Sequence, residues 1–444
     1  MKYVSTRAHL SENPGPAVGF GEALTRGLAP DGGLYIPESW PTLPLSAFDG
    51  ARALPDIARA FLQPFVAGDP IASEIDAIAR EAFNFPAPML PVSAGGSLSV
   101  LELFHGPTAA FKDFGAQFLA ASLTRLRSNH GGDAARPLNI LVATSGDTGG
   151  AVAAAFHQRP GIQVSVLFPK GLVSPTQERQ LTCWGDNVHS YRVDGTFDDC
   201  QRLVKEAFVD PALKARFELS SANSINLGRL LPQAVYYAAT SLAVYRERGV
   251  KPDFVIPSGN LGNSVACVWA RKVGLPIGRI VLAHNLNRTV PDFLQSGEWS
   301  PRASIPTLAS AMDVGTPSNM ERLRALFPDI DAVRRAVRAE SVTDERIKAR
   351  IANDFRQYGK PWCPHTAVAA EVSARFDAAA RENARWVIVA TAHPAKFREI
   401  VEPLIGRQIE IPESLAKLFA RPVSCTELKP ELAALTEALG EAAL

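Results

Sequence analysis

The chain has no apolar run long enough to cross a bilayer, no long block of a single charge and no internal repeat or low-complexity tract. Its five cysteines, at 183, 200, 267, 363 and 425, are odd in number and include no Cys-x-x-Cys pair. That argues against structural zinc and against a disulfide scaffold. Eight histidines occur without His-Glu-x-x-His and without a close cluster, so no dedicated metal site is expected. Lys and Arg total 46 against 45 acidic residues, which leaves no global field to draw nucleic acid or a membrane. The opening MKYVSTRAHLSENPG lacks an apolar h-region, so a cytoplasmic location is expected rather than secretion. Neither a GxGxxG fingerprint nor a Walker A sequence is present, which counts against dinucleotide and mononucleotide binding.

What is there is an ordinary globular composition, 46% hydrophobic and 20% charged over 444 residues, long enough for two or three domains. Residues 1–95 read as a separate layer. It has a short strand (KYVSTR), a turn at Pro30-Asp31-Gly32-Gly33 and two amphipathic stretches, PDIARAFLQPF and IASEIDAIAREAF. PAPMLPV, 86–92, reads as a proline-rich linker. From Ser97 onward the pattern is strand then helix, repeated. SLSVLELF, LNILVAT (138–144), IQVSVLF (162–168), NVHSYRV (187–193), DFVIP (253–257), RIVLAHN (279–285) and WVIVAT (386–391) are short apolar runs. Amphipathic stretches separate most of them, the pattern of a mostly parallel sheet covered on both faces by helices. Ligands in such sheets bind beyond the carboxyl ends of the strands. Several runs end in a polar motif, so the motifs are expected to meet on one rim. Between 299 and 360 the sequence turns charged and helical, with its arginines expected on a solvated face.

HGPTAAFKDFGAQF, 105–118, sets Lys112 between two phenylalanines, after a strand and before a helical pattern. Burial disfavours a charged amine, lowers its pKa and suits it to a Schiff base. A lysine that snorkels to solvent is the plainer alternative. ATSGDTGGAVAAAF, 143–156, offers small residues, helix-start N–H groups and the hydroxyls of Ser145 and Thr148, all suited to an anion. Asp147 suits an anion badly and reads as a helix N-cap or as the neighbour of a hydroxyl. PSGNLGNSVA, 257–266, presents Gly259, Asn260, Leu261, Gly262 and Asn263 with no acid among them. That favours a dianionic phosphate, with a ligand-free helix entry as the alternative. VATAHPAKF, 389–397, ends a strand at Thr391, a neutral hydroxyl suited to a heterocycle nitrogen or to capping. Lys170 follows another strand, and NSINLGRLLPQ brings Asn226 and Arg229, the latter with a planar fork for phosphate. AHNLNRTVPDFL (283–294) is a polar loop after a strand, and MDVGTPSNMERL (312–323) sets Ser318 or Asn319 near a helix start.

In combination, HGPTAAFKDFG, ATSGDTGGA, NSIN, GNLGN, MDVGTPSN and ATAHPAKF resemble the motifs of the threonine synthase family, as do YVSTR and LAPDGGLYIPE. These are pyridoxal-phosphate enzymes of fold type II, the tryptophan synthase β-like group. The resemblance spans nearly the whole chain in the same order. It implies an α/β fold of mostly parallel sheets covered by helices, with an N-terminal extra domain. The expected division is 1–95, a smaller α/β unit at 96–225, and a larger one at 226–444 that carries the cofactor phosphate loop.

The resemblance also implies roles. Lys112 would hold pyridoxal 5'-phosphate as a Schiff base and later move protons. The 259–263 loop would take the cofactor phosphate, Thr391 the pyridine nitrogen, and Asp147 the ring 3-hydroxyl. Ser145 and Thr148 would bind the substrate carboxylate, and Lys170, Asn226 and Arg229 are candidates for its γ-phosphate. The implied activity is a carbon–oxygen lyase that converts O-phospho-L-homoserine and water to L-threonine and phosphate. A lyase giving 2-oxobutyrate, or a threonine or serine dehydratase, is the alternative. The implied partner is a small molecule, with no nucleic acid and no membrane, on a monomer or homodimer. Two positions depart from the family pattern: Cys363 stands before PHTA where an acid is expected, and Ala8 follows STR where glycine is more usual.

Overall fold

In the computed structural model, which describes residues 1–8, 15–92, 97–129, 137–327, 329–377, 380 and 384–442, all seven apolar runs form strands. The strands in chain order are β1 (Tyr3–Ser5), β2 (Tyr35–Pro37), β3 (Met89–Pro91), β4 (Leu98–Glu102), β5 (Leu138–Ala143), β6 (Ile162–Pro169) and β7 (Val188–Val193). After them come β8 (Glu218–Ser221), β9 (Asp253–Pro257), β10 (Ile280–His284), β11 (Arg338–Ser341), β12 (Trp386–Ala390) and β13 (Thr426–Leu428). They pair into a six-stranded sheet of order β11-β10-β9-β12-β4-β3, a five-stranded sheet of order β13-β7-β6-β5-β8, and a small β1-β2 ribbon. Every pair in the two large sheets is parallel except β3 with β4.

The central strands are buried along their whole length because both faces are covered. On β9, Phe254 and Ile256 face one hydrophobic cluster while Val255 faces another. The Pro364–Ala374 helix lies over β9, β10 and β12, and the Gly262–Lys272 helix over β9 and β10. Register fixes where the strand ends fall. Ala390 lies opposite Glu102, and Ile388 opposite Val255 two residues before β9 ends at Pro257. Three neighbouring strands, about 4.8 Å apart, therefore deliver their following loops side by side. These are the Lys112 loop after β4, the GNLGN loop after β9 and Thr391 after β12.

The N-terminal amphipathic stretches form the helices Leu54–Leu62 and Ile75–Ala82. Their apolar stripe buries Ile57, Phe61, Ile78 and Ala79 against Phe20, Phe65 and the Lys112–Asn129 helix.

Four expectations change. PAPMLPV is not only a linker: residues 89–91 add an antiparallel edge strand, a position that tolerates proline. The 299–360 region forms helices as expected, but RAES at 338–341 pairs as edge strand β11, its short polar sequence giving no strand pattern. Its arginines are not all solvated, since Arg322 is fully buried. Finally, the boundaries at 95/96 and 225/226 cut across the sheets. β4 belongs with β9 and β12, and β13, near the C-terminus, returns to pair with β7. Strand order is a long-range property that local patterning does not carry.

Candidate active site

One cavity of about 1930 Å³ opens at the carboxyl ends of both large sheets. Its lining includes Lys112, Ser145, Asp147, Thr148, all five residues from Gly259 to Asn263, and Thr391. The motifs expected to share a rim do share it.

Lys112 is the first residue of the Lys112–Asn129 helix. Its amine meets no carboxylate in ion-pair range among the described residues, and lies 5.8 Å from the Phe111 ring centroid. Burial away from bulk water lowers its pKa to about 8; Asp147 opposes this, while Lys396 and Arg229 add to it. Of the flanking phenylalanines only Phe111 borders the cavity, while Phe114 packs into the core against Phe85 and Tyr236. The loop before Lys112 is pinned to the end of β12: Phe111 N donates to Thr391 O (2.8 Å) and His393 N to Ala109 O (3.0 Å). Ala109 in that loop has a positive φ of 54°.

Asp147 opens the Asp147–Phe156 helix, but it is not the cap. Gly146, at φ 141°, holds that position, and the Thr144 hydroxyl accepts from Gly146 N (3.0 Å) and Gly149 N (2.9 Å). The buried carboxylate instead meets the Lys396 ammonium (2.8 Å) and the Gln177 amide (3.1 Å). Burial alone raises its pKa, but Lys396, Lys112 and His365 hold it well below the usual carboxylate range.

The GNLGN loop is built for close approach. Leu261 takes a left-handed φ of 63° and leads into the Gly262–Lys272 helix with no side chain capping its first N–H groups. Asn263 is fixed by Tyr237, whose hydroxyl donates to its Oδ1 (2.8 Å), and by Tyr236. Its buried Nδ2 finds no acceptor in the structure. A pocket with uncapped helix N–H groups, an unpaired amide donor and no acidic side chain fits a phosphate. A Cβ on Gly259 would stand 2.7 Å from Met312 Cα and 3.3 Å from Ala311 O. Gly259→Ala is therefore expected to push the two loops apart and weaken pyridoxal 5'-phosphate binding about tenfold or more. Cofactor titration of the stripped protein checks this, and unchanged affinity would show that the close approach is incidental.

Other motifs turn out to support this loop. Asn260 Nδ2 donates to Ser224 Oγ (2.6 Å), and Asn319 Nδ2 to Asn260 O (3.1 Å). Asn285 and Asn287 hold Asp313 of the MDVG segment at 2.7 and 3.3 Å.

Of three expected substrate contacts, two lie outside the cavity lining and the third borders it with its fork turned away. Lys170 is 54% exposed, pairs with Glu427 (3.1 Å) and does not line the cavity. Asn226 is fully buried as a helix N-cap: Oδ1 accepts from Gly228 N, and Nδ2 donates to Leu24 O and Ser221 O. Nothing of it is left for a ligand. Arg229 does border the cavity, but its fork is turned onto the carbonyls of Ala222 and Lys112, and its Nε is unpartnered. Burial lowers its pKa to about 10, with Asp113 opposing.

Sequence reasoning missed Lys396, which lies inside ATAHPAKF but beyond the residue that drew attention there. It also passed over His365 in PHTA, which lines the cavity. Ala311 N donates to its Nε2 (3.1 Å) and its Nδ1 has no partner. Burial lowers its pKa to about 4, so it is neutral at ordinary pH. Cys363 caps the Pro364–Ala374 helix, its thiol accepting from Thr366 N (3.4 Å). An acid there would serve the same cap. Among the described residues no group of His, Cys, Asp and Glu is placed to hold a metal ion.

Comparison with known proteins gives a consistent result. Family models for "Threonine synthase N terminus", "Pyridoxal-phosphate dependent enzyme" and "Threonine synthase, C-terminal" match residues 2–83, 85–392 and 366–439. Threonine synthase of Escherichia coli is 40% identical over 425 residues, covering 94% of this chain and 95% of that protein. The Haemophilus influenzae threonine synthase is 39% identical over 431 residues, covering 96% and 97%. Among solved structures, that of PLP-bound threonine synthase from Brucella melitensis superposes with a TM-score of 0.89 at 35% identity, covering 100% of this chain and 99% of that one.

Proposed function

The chain belongs to the threonine synthase family, and we propose that its residues convert O-phospho-L-homoserine and water to L-threonine and phosphate as follows. The family uses pyridoxal 5'-phosphate for the last step of threonine biosynthesis, and its fold type II architecture is the one this chain adopts. The observation that carries the reading is that a single cavity is lined at once by Lys112, Asp147, the 259–263 loop and Thr391.

Lys112 Nζ would hold the cofactor covalently. The backbone of 259–263 and the Asn263 amide would hold its phosphate, with Thr391 the residue available to the ring nitrogen and Asp147 to the ring 3-oxygen. When bound, the cofactor stabilises the negative charge left when protons depart from the substrate carbons. In the balanced reaction, C–H bonds break at Cα and Cβ and the Cγ–O bond to phosphate breaks. C–H bonds form at Cγ and again at Cα. Water's oxygen bonds to Cβ, and its spare proton leaves with the phosphate.

The proton transfers need one base that reaches three adjacent carbons. Lys112 carries its amine on a flexible four-carbon stem, and a pKa lowered by burial to about 8 would let it both take and return a proton near neutrality. Ser145 and Thr148, at the start of the Asp147–Phe156 helix, hold the substrate carboxylate, and the helix end favours its charge.

No helix among the described residues is long and apolar enough to cross a membrane; a cytoplasmic location and a monomer or homodimer go with this reading. Incubation of the loaded protein with O-phospho-L-homoserine is expected to release phosphate and threonine in equal amounts. Release of 2-oxobutyrate instead would overturn the assignment in favour of an eliminating lyase.

A further inference from the structure

We propose that Lys396 is a positioning residue of this site: it clamps the Asp147 loop to the Lys112 loop and keeps a fixed positive charge beside Lys112. The proposal rests on the assignment of Lys112 as the cofactor lysine.

Lys396 is 0% exposed. Its ammonium lies 2.8 Å from Asp147 Oδ1 and donates to Thr108 O, also at 2.8 Å. Thr108 is fixed in turn: its N and Oγ1 donate to the Asp113 carboxylate at 2.9 and 2.6 Å, and its carbonyl accepts from Gln180 (3.0 Å). Gln177 of the same Pro175–Thr182 helix bonds Asp147. One ammonium thus ties together the turn after Thr391, the SGDTG loop of the five-stranded sheet and the Lys112 loop of the six-stranded sheet.

A buried ion pair gains little stability over a well-packed apolar pair of the same volume, so stability alone gives weak reason for a lysine here. Its charge is the distinctive contribution. The charged or titratable groups facing Asp147 are Lys396, Lys112, His365 and the Cys363 thiol. Those facing Lys112 are Asp147, Lys396, Arg229 and His365. Only Asp147 among them favours a protonated Lys112. Removing the Lys396 charge takes away a repelling cation and also frees Asp147 to pair with Lys112. Both effects act in one direction, toward a more tightly held proton on Lys112.

The test follows capture of pyridoxal 5'-phosphate by cofactor-free protein as a function of pH. The parent rate is expected to rise with pH and level off above an inflection near 8. In Lys396→Met the inflection moves up by about one unit, so capture at pH 7 is about tenfold slower while the high-pH plateau is kept. Lys396→Arg, which keeps the charge, stays near the parent inflection. The double variant Lys396→Met with Asp147→Asn, which buries no unpaired charge, guards against misfolding of the single variant and returns the inflection toward the parent value. An unmoved inflection in Lys396→Met, or a double variant as shifted as the single one, overturns the proposal while leaving the cofactor lysine intact. Failure of the parent protein to capture the cofactor at any pH overturns both.

Discussion

Replacing Lys112 by alanine is expected to cut phosphate release from O-phospho-L-homoserine by about 10⁴-fold, the upper range for losing a positioned acid–base group. It is also expected to abolish the visible absorption of the cofactor-loaded protein. The fold should survive, because Lys112 sits at a helix start, forms no ion pair with a described residue and opens onto a cavity. Asp147 still keeps its Lys396 partner in the variant. The phosphate cradle at 259–263 is untouched, so the variant should bind pyridoxal 5'-phosphate reversibly, without the covalent link. Borohydride treatment followed by mass analysis separates the two states, fixing the cofactor to Lys112 in the parent and to nothing in the variant. Turnover at the parent rate in Lys112→Ala would refute the mechanism.

The largest expected loss of stability lies far along the chain, at Arg322. Arg322 is 0% exposed, and burial lowers its pKa to about 9, which leaves it protonated at neutral pH. It makes no ion pair with a described residue. Its guanidinium donates to Tyr35 O (3.1 Å), Ser224 O (3.2 Å), Ile225 O (2.6 Å) and Asn319 Oδ1 (2.7 Å). These acceptors come from the N-terminal layer, the NSIN loop and the MDVGTPSN segment, so one side chain joins three parts of the chain. Arg322→Met leaves them without their donor and is expected to cost about 4 kcal/mol. Arg322→Lys should recover only part of this, because one ammonium cannot match a planar five-donor fork. The denaturant midpoint checks both, and a shift worth under about 1 kcal/mol would mean that the acceptors find other donors. Ser224 and Asn319 also hold Asn260, so cofactor affinity should fall with stability.

These two residues mark what local sequence could and could not reveal. Lys112 stood out because a lysine between phenylalanines at a strand–helix junction is chemically odd, and its neighbouring strands ended in equally unusual turns. The seven strands were legible because most are short apolar runs set between amphipathic stretches. Arg322 was not legible, since ERLRAL reads as a solvated amphipathic helix and only the acceptors donated by Tyr35 and Ile225, far off in the chain, bury it. Lys396 was hidden for the same reason: its partners Asp147 and Thr108 lie more than two hundred residues away. Asn226 and Lys170 mislead in the opposite way. Their side chains can bind phosphate, but one is spent on a helix cap and the other on Glu427. The clearest motifs were those whose chemistry is local, whereas Arg322, Lys396 and Lys170 are held by partners remote in the chain.

The return of β13 to the five-stranded sheet has a consequence for how the protein is made. Residues 426–428 close the β7 edge, yet they are synthesised more than two hundred residues after β7 itself. Throughout translation of β9, β10, β11 and β12, the nascent β7 carries an open row of N–H and C=O groups, the kind of edge that templates unwanted strand pairing. The smaller sheet is therefore complete only after residue 428 has been made, and shielding that edge until then falls to chaperones or to the neighbouring chain.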